Sequence, residues 1–512
     1  MSKHFRPWKI DQTQLLPPAI EDFVPAGHLA RFIVALARDE LDLSEITGSY
    51  TSALGQPPFD ARLMVALLLY CYCNGIYSSR RIAKACRERV DVMMIVALDP
   101  PDFRTISEFR KRHLKALSAL FLQVLKLCEK AGLVKLGHVA LDGTKIKANA
   151  SKHRAMSYER MEKRAAELEA EVAKWLSSAE AADADEDQRH GPNKSGDEMP
   201  KWVADKKQRA EKIRAAKAEL EAEAKAAAEE KARAEAEAEE KRKAEGRKKP
   251  GKPAAPPSTD PDPKAQKNFT DPESRIMKSK DGFVQAYNAQ AVVDREAQII
   301  VAQDTTQEAT DKHQLIPMTD AIESNLGRKP EQMSADAGYC SEANLMGLEA
   351  RSIDGYVATG RAKDAPIEDA VTGRVAAVAD AAIGTPVEKN DVGSSDGISR
   401  PEAAPARAEP AAIKTRVEAM REKIKAGGHE SPYRFRKQLP EPVFGQIKQA
   451  RGFRQFLLRG IDNVRGEWSL VCTAHNILKL AQGLAQELAQ GLAKTAKGWT
   501  LSTAQPPVAN AA

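Results

Sequence analysis

The chain has 512 residues and six cysteines, at 71, 73, 86, 128, 340 and 472, none of them in a CxxC spacing. Cysteines scattered in this way argue against a disulfide framework or a structural zinc site, and they fit a reducing cytosol. The opening residues MSKHFRPWKI hold no apolar signal core. The longest apolar run, LMVALLLYCYC at 63–73, is too short to cross a bilayer. Neither sign of charge dominates: the net charge is only +6, so any basic surface must be local. These absences lead us to expect a cytoplasmic protein with no membrane partner, long enough for more than one core.

Residues 1–135 read as an all-α N-terminal domain. FVPAGHLARFIVALARDEL has helical apolar spacing, and ARLMVALLLYCY reads as a buried helix. SSRRIAKACRE and VDVMMIVAL are two short segments. After the breaker DPPD, Thr105 and Glu108 have the spacing of a capping box for a helix running through TISEFRKRHLKALSALFLQVLKLCEKAG. This region carries Arg80, Arg81, Arg110 and Arg112, which are candidate contacts for a polyanion. Phosphate contact is the safer expectation for them, because only base-edge contacts specify sequence.

From Gly137 the pattern turns to strands. HVALD, FVQAYNAQAVV, QIIVAQ, MSADAG and GYVATG are five strand candidates, with helices expected in KHQLIPMTDAIESNL and ANLMGLEAR. The fold class expected is α/β, a mixed five-stranded core interrupted by a long helical insertion and preceded by the all-α domain. The first strand falls in 136–154, the core continues over 271–361, and its C-terminal helices occupy 431–485. Residues 155–270 are a charged helical insertion and linker, in which Met161, Ala165, Leu168, Val172 and Trp175 follow a coiled-coil seam. Residues 362–430 form a low-complexity insertion, and 486–512 a tail.

Three acids on separate elements stand beside bases. Asp142 follows the HVAL strand, Asp336 lies in SADAG, and Glu441 opens a helix amid Arg436, Lys448, Arg451 and Arg454. Sequence-distant carboxylates of this kind are the minimum kit for metal-assisted phosphodiester chemistry. Plainer readings stand beside these. Asp-Gly at 142–143 is a common turn pair, Asp304 is a competing strand-end acid, and Glu441 suits a helix N-terminus on dipole grounds alone. His313 and His475 fit helix positions better than ligand roles, and Phe444, Phe453, Phe456 and Trp468 are expected to pack on the core.

LDGTKIKANASK, FTDPESRIMKSKDGFVQAYNAQAVVD, SADAGYCSEANL, DGYVATGR and PEPVFGQIKQARGFRQFLLRG resemble bacterial insertion-sequence transposases of the DDE class. YSSRRIAKACRE and TISEFRKRH resemble the helical N-terminal domain of the same family. The resemblance implies an RNase H-like catalytic domain and the triad Asp142, Asp336 and Glu441, holding Mg²⁺ or Mn²⁺ as a pair of ions. It also implies a Tyr433, Arg436, Glu441, Lys448 signature, with Arg436 to Glu441 one residue wider than the common form. The implied activity is cleavage and strand transfer of DNA at terminal inverted repeats, by a homo-oligomer in a synaptic complex near the nucleoid. The alternative is a catalytically inactive relative kept for DNA binding or scaffolding.

Overall fold

The computed structural model describes residues 19–51, 57–190, 201–244, 258–279, 282–360 and 415–496. The N-terminal helices are α1 (Leu29–Ala35), α2 (Ser44–Thr47), α3 (Ala61–Cys73), α4 (Ser79–Glu88), α5 (Val90–Ile95), α6 (Phe103–Arg112) and α7 (Leu114–Lys130). α3 is buried on almost every side, as its unbroken apolar run requires, and starts where the Asp60 carboxylate accepts from Arg62 N. The long helix expected from Thr105 is two. Asp102 caps α6 by accepting from the N–H groups of Arg104 and Thr105, so the cap is not Thr105, and the helix breaks at His113.

The sheet follows. Its strands are β1 (His138–Lys147), β4 (Arg275–Ser279), β5 (Gly282–Asp294), β6 (Ile300–Thr306), β7 (Gln332–Ala335) and β8 (Asp354–Val357). β2 (Ala155–Ser157) and β3 (Gln266–Asn268) form a separate two-stranded ladder. Across the main sheet the order is β6–β5–β1–β7–β8, with β4 also paired to β5. β1 runs antiparallel to β5 and parallel to β7, which runs parallel to β8. Helices α10 (Leu315–Leu326) and α11 (Glu342–Ala350) supply the crossovers that parallel neighbours need. The fold is α/β with a mixed sheet and a helical N-terminal region, consistent with an RNase H-like core.

α8 (Tyr158–His190) and α9 (Lys201–Ala244) leave the sheet as an antiparallel pair between β2 and β3. After the undescribed 361–414, where most of the expected low-complexity insertion lies, come α12 (Arg416–Gly427), α13 (Phe435–Gln438), α14 (Pro440–Gly445) and α15 (Ile461–Ala496). The helix expected to continue past Glu441 is interrupted. A π-turn spans Gln446–Ala450, then an irregular stretch follows with Gly452 and Gly460 at φ of 72° and 82°. That backbone suits glycine. α15 packs against α3, α7 and β6, so one apolar cluster joins Val24 to Leu480 through the N-terminal helices and the sheet. Phe444, Phe453, Phe456 and Trp468 are all buried in it.

Candidate carboxylate centre

Two of the three candidate acids are brought together by strand register. The β1–β7 ladder ends with Ala140 opposite Ser334, and each chain running on two residues from that pair brings Asp142 and Asp336 close enough for each charge to act on the other. Side chains two apart share a face of a strand, and neighbouring strands lie about 4.8 Å apart. Asp142 is not a turn residue. β1 continues straight through Asp142-Gly143 to Lys147, with Asp142 paired to Ala291 of β5. Asp336 stands one residue past β7 and caps a 3₁₀ turn by accepting from Gly338 N at 2.8 Å.

Arg436 on α13 ties the third acid to this pair. Its guanidinium lies 3.2 Å from Asp336 Oδ2 and 3.7 Å from Glu441 Oε1. Glu441 is in the first turn of α14, exposed, with Pro440 before it. Burial pushes the Asp142 carboxyl up to about 6. The Arg436 charge pulls it down, while Asp336 and Asp311 push it up. Tyr433 is half-buried beside the same groups, and burial raises its hydroxyl pKa.

A fourth acid, Asp311, stands in the loop before α10. Its Oδ1 accepts from Asn288 Nδ2 at 2.6 Å and Gln290 Nε2 at 2.8 Å, with Lys145 Nζ at 3.3 Å. Tyr339 is buried and donates its hydroxyl to Gln290 Oε1. Gly143 and Gly338 make room for this cluster. A Cβ on Gly143 would lie 2.4 Å from Gln290 Nε2 and 2.6 Å from Asp311 Oδ1; one on Gly338 would lie 3.0 Å from Asp336 Oδ1 and 3.5 Å from Asp311 Oδ2. Asn288 Oδ1, fully buried, has no partner. No motif marks Asp311. The available signal was a glycine in mid-strand, which means close approach by another group.

The expected bases divide. Lys448 donates to Thr144 Oγ1 and to Lys145 O, the latter at 3.0 Å, so it packs on the backbone of β1 beside the centre. The π-turn leaves Glu441 and Lys448 with different partners rather than on one regular helical face. Arg454 is exposed. Arg451 is not a surface base: its guanidinium is largely buried, 3.4 Å from His475 Nδ1, and burial lowers its pKa. Arg110, 5% exposed, donates to Tyr72 Oη at 3.1 Å and Tyr77 O at 2.8 Å. Surface contact by Arg110 does not fit that position. Arg80, Arg81 and Arg112 are exposed. Asp304 pairs with Arg465 at 3.0 Å, and His475 is buried, with Nε2 2.9 Å from Gln298 O.

The donor set is all oxygen, which suits a hard cation such as Mg²⁺ or Mn²⁺. Among the described residues no three His, Cys, Asp or Glu side chains close on one point as a self-sufficient metal site. Two neighbouring carboxylates fit instead an ion that keeps waters and takes its remaining oxygens from a phosphate.

Residues 18–112 match the family model of a transposase domain (DUF772), and residues 402–481 match that of a transposase DDE domain. Together the two matches support an insertion-sequence transposase of the DDE class. A DDE domain implies dependence on a divalent metal ion in general. No curated protein and no solved structure matches the chain. No helix among the described residues is long and apolar enough to cross a membrane.

Proposed function

We propose that this transposase binds the terminal inverted repeats of an insertion sequence and catalyses metal-dependent cleavage and strand transfer of DNA. The β1–β7 register supports this most directly, because it brings Asp142 within β1 beside Asp336 just past β7, with a third carboxylate, Glu441, linked through Arg436. These three acids would hold Mg²⁺ or Mn²⁺, as two ions. A divalent ion there supplies activation of the attacking oxygen and stabilisation of the leaving 3′ oxygen. Arg436 offsets the mutual repulsion of the acids and has guanidinium donors of the geometry that pairs with phosphate. Lys448 fixes Thr144 and the backbone beside Asp142, which keeps the strand edge rigid. Exposed Arg80, Arg81, Arg112 and Arg454 provide phosphate contacts away from the reacting bond. Holding two ends together calls for a homo-oligomer in a synaptic complex.

The test is a strand-cleavage and joining assay on the element's own ends with Mg²⁺ or Mn²⁺, alongside binding to the same DNA. Wild-type activity, lost in Asp142→Asn, Asp336→Asn and Glu441→Gln with binding intact, is the expected result. Binding without cleavage by the wild type would leave a DNA-binding relative and remove the enzyme. Activity surviving in one variant would remove that acid from the triad.

A further inference from the structure

A cleft of about 450 Å³ opens where α4 and α6 meet the irregular stretch before α15, lined by Ser79, Arg80, Phe103, Arg104, Lys111 and Leu457 among others. Its lining is mostly basic: Arg80, Arg104 and Lys111 stand with one acid, Glu108, while the buried charge of Arg110 is met from behind by Glu467. Arg80 and Arg104 are held by an aromatic ring rather than by acids. Their guanidinium carbons lie 5.2 Å and 5.6 Å from the centroid of Phe103, which is 37% exposed. Among the described residues neither arginine, nor Lys111, has an ion pair. Cations stacked on a ring lose little freedom when they meet a ligand, and their donors stay available.

Two further observations point to an anion. The ten-residue α4 starts at this cleft, and the side chain of its N-cap, Ser78, makes no capping hydrogen bond, leaving first-turn N–H groups without that acceptor. Arg110, nine-tenths buried, lines the same cleft. Tyr72 and Tyr77 anchor one end of it, yet its buried Nε–H has no partner and its contact to Ser79 Oγ is long, at 3.4 Å. Arg110 is too enclosed to touch a ligand itself, but its charge beneath the free cations adds to the positive potential that favours an anion in the cleft.

From these features we infer that the cleft binds a phosphate of the DNA backbone, on the same duplex that the carboxylate centre engages. This rests on the DNA-processing reading above and adds to it a specific anchoring site built by the N-terminal helices and the core together. The connection is short. Leu457 O accepts from Asn149 Nδ2 at 2.7 Å, and Phe456 N donates to Lys147 O at 2.9 Å, so the cleft wall is stitched to the strand that carries Asp142. Seven residues from Asp142 to Asn149 span at most about 25 Å, roughly seven base pairs of duplex. The anchored phosphate therefore lies within about one helical turn of the reacting bond.

The experiment measures binding of the full chain to end-sequence and unrelated duplexes across a salt series, for wild type, Arg80→Ala/Arg104→Ala, Phe103→Leu, and a charge-matched control, Lys126→Ala/Lys130→Ala. Two lost phosphate contacts should flatten the slope of log K against log salt by about 2. The arginine pair should also weaken binding at least tenfold on both duplexes. Phe103→Leu, which keeps every charge, should weaken binding severalfold, and the control should change little. Unchanged slope and affinity in the arginine pair, or an equal loss in the control, would overturn the inference while leaving DNA binding standing. A wild type that binds neither duplex would instead sink the DNA-processing reading, and this inference with it.

Discussion

The sheet and the α8–α9 arm solve the problem of burying apolar surface in opposite ways. In the sheet region strands β1, β5, β6, β7 and β8 and the helices packed on them share one cluster. Groups far apart in sequence also satisfy one another there, as when Asn476 on α15 both accepts from and donates to the backbone of Ile300. The arm has its own small cluster, made by Met161, Ala165 and Leu168 against Ala210, Ile213, Ala216 and Leu220. Its cross-helix ion pairs, such as Lys217–Glu162 at 2.9 Å and Arg214–Glu169 at 2.8 Å, sit in solvent, where such pairs contribute about 0–1 kcal/mol each. A cooperative core can hold like charges together at a strand edge. A local helical pair can hold only itself.

The comparison breaks first at the carboxylates. Asp142→Asn and Asp336→Asn preserve shape and remove charge, so cleavage should fall about a thousandfold, the several kcal/mol expected of a metal-assisted step. DNA affinity should hold. Retention of more than a tenth of wild-type turnover would mean that the pair is structural. Gly143→Ala tests the same place without touching charge. The new Cβ would sit 2.4 Å from Gln290 Nε2 and 2.6 Å from Asp311 Oδ1, an overpacking worth about 1–3 kcal/mol of stability. Denaturant unfolding would show the loss, and a neutral result would show that Asp311 and Gln290 move aside cheaply.

Much of this arrangement was legible in the sequence, because strand order and the apolar spacing of the insertion follow from local pattern. Five of the six strands of the main sheet, all but β4, and the Met161–Leu168 seam fall where alternation and heptad spacing put them. Three things were not legible, each for a long-range reason. β1 outruns its apolar half because β5 pairs with its polar half as well, which turns Asp-Gly from a turn into strand. Arg110 and Arg451 sit inside because tyrosines, a histidine and backbone carbonyls from distant segments surround them, which one-dimensional charge counting cannot register. Asp311 belongs to the centre through Asn288 and Gln290, two amides that carry no motif.

A smaller effect separates the regions by pH. Burial raises both Asp142 and the fully buried Glu467 to about 6. A carboxyl raised in the folded state binds its proton more tightly there than when unfolded. Stability from these groups is therefore highest near pH 4 and declines as pH climbs through 6. Thermal unfolding in chelator should show that decline. Asp142→Asn should remove part of it, stabilising the protein above pH 6 and not below 4. A stability curve unchanged by Asp142→Asn would mean that this carboxyl is ordinary.

The smallest effect should come from removing the arm altogether. Ser157 and Gln266 are opposite one another in the β2–β3 ladder, so a two-residue Asn-Gly turn can replace 158–265 and close a hairpin. The ladder keeps its own ties to the core, since Asn268 Nδ2 still donates to Ser151 O at 2.8 Å and Phe269 N to Arg154 O at 3.1 Å. Lys267, 5% exposed in its side chain between Glu219 and Glu223 of α9, loses both partners but gains solvent as the helices leave. The sheet, its single apolar cluster and the β1–β7 register contain no arm residue. Core unfolding should then shift by no more than a few degrees. A collapse of the core transition would mean that the arm supports the ladder cooperatively, and that the two regions unfold as one unit.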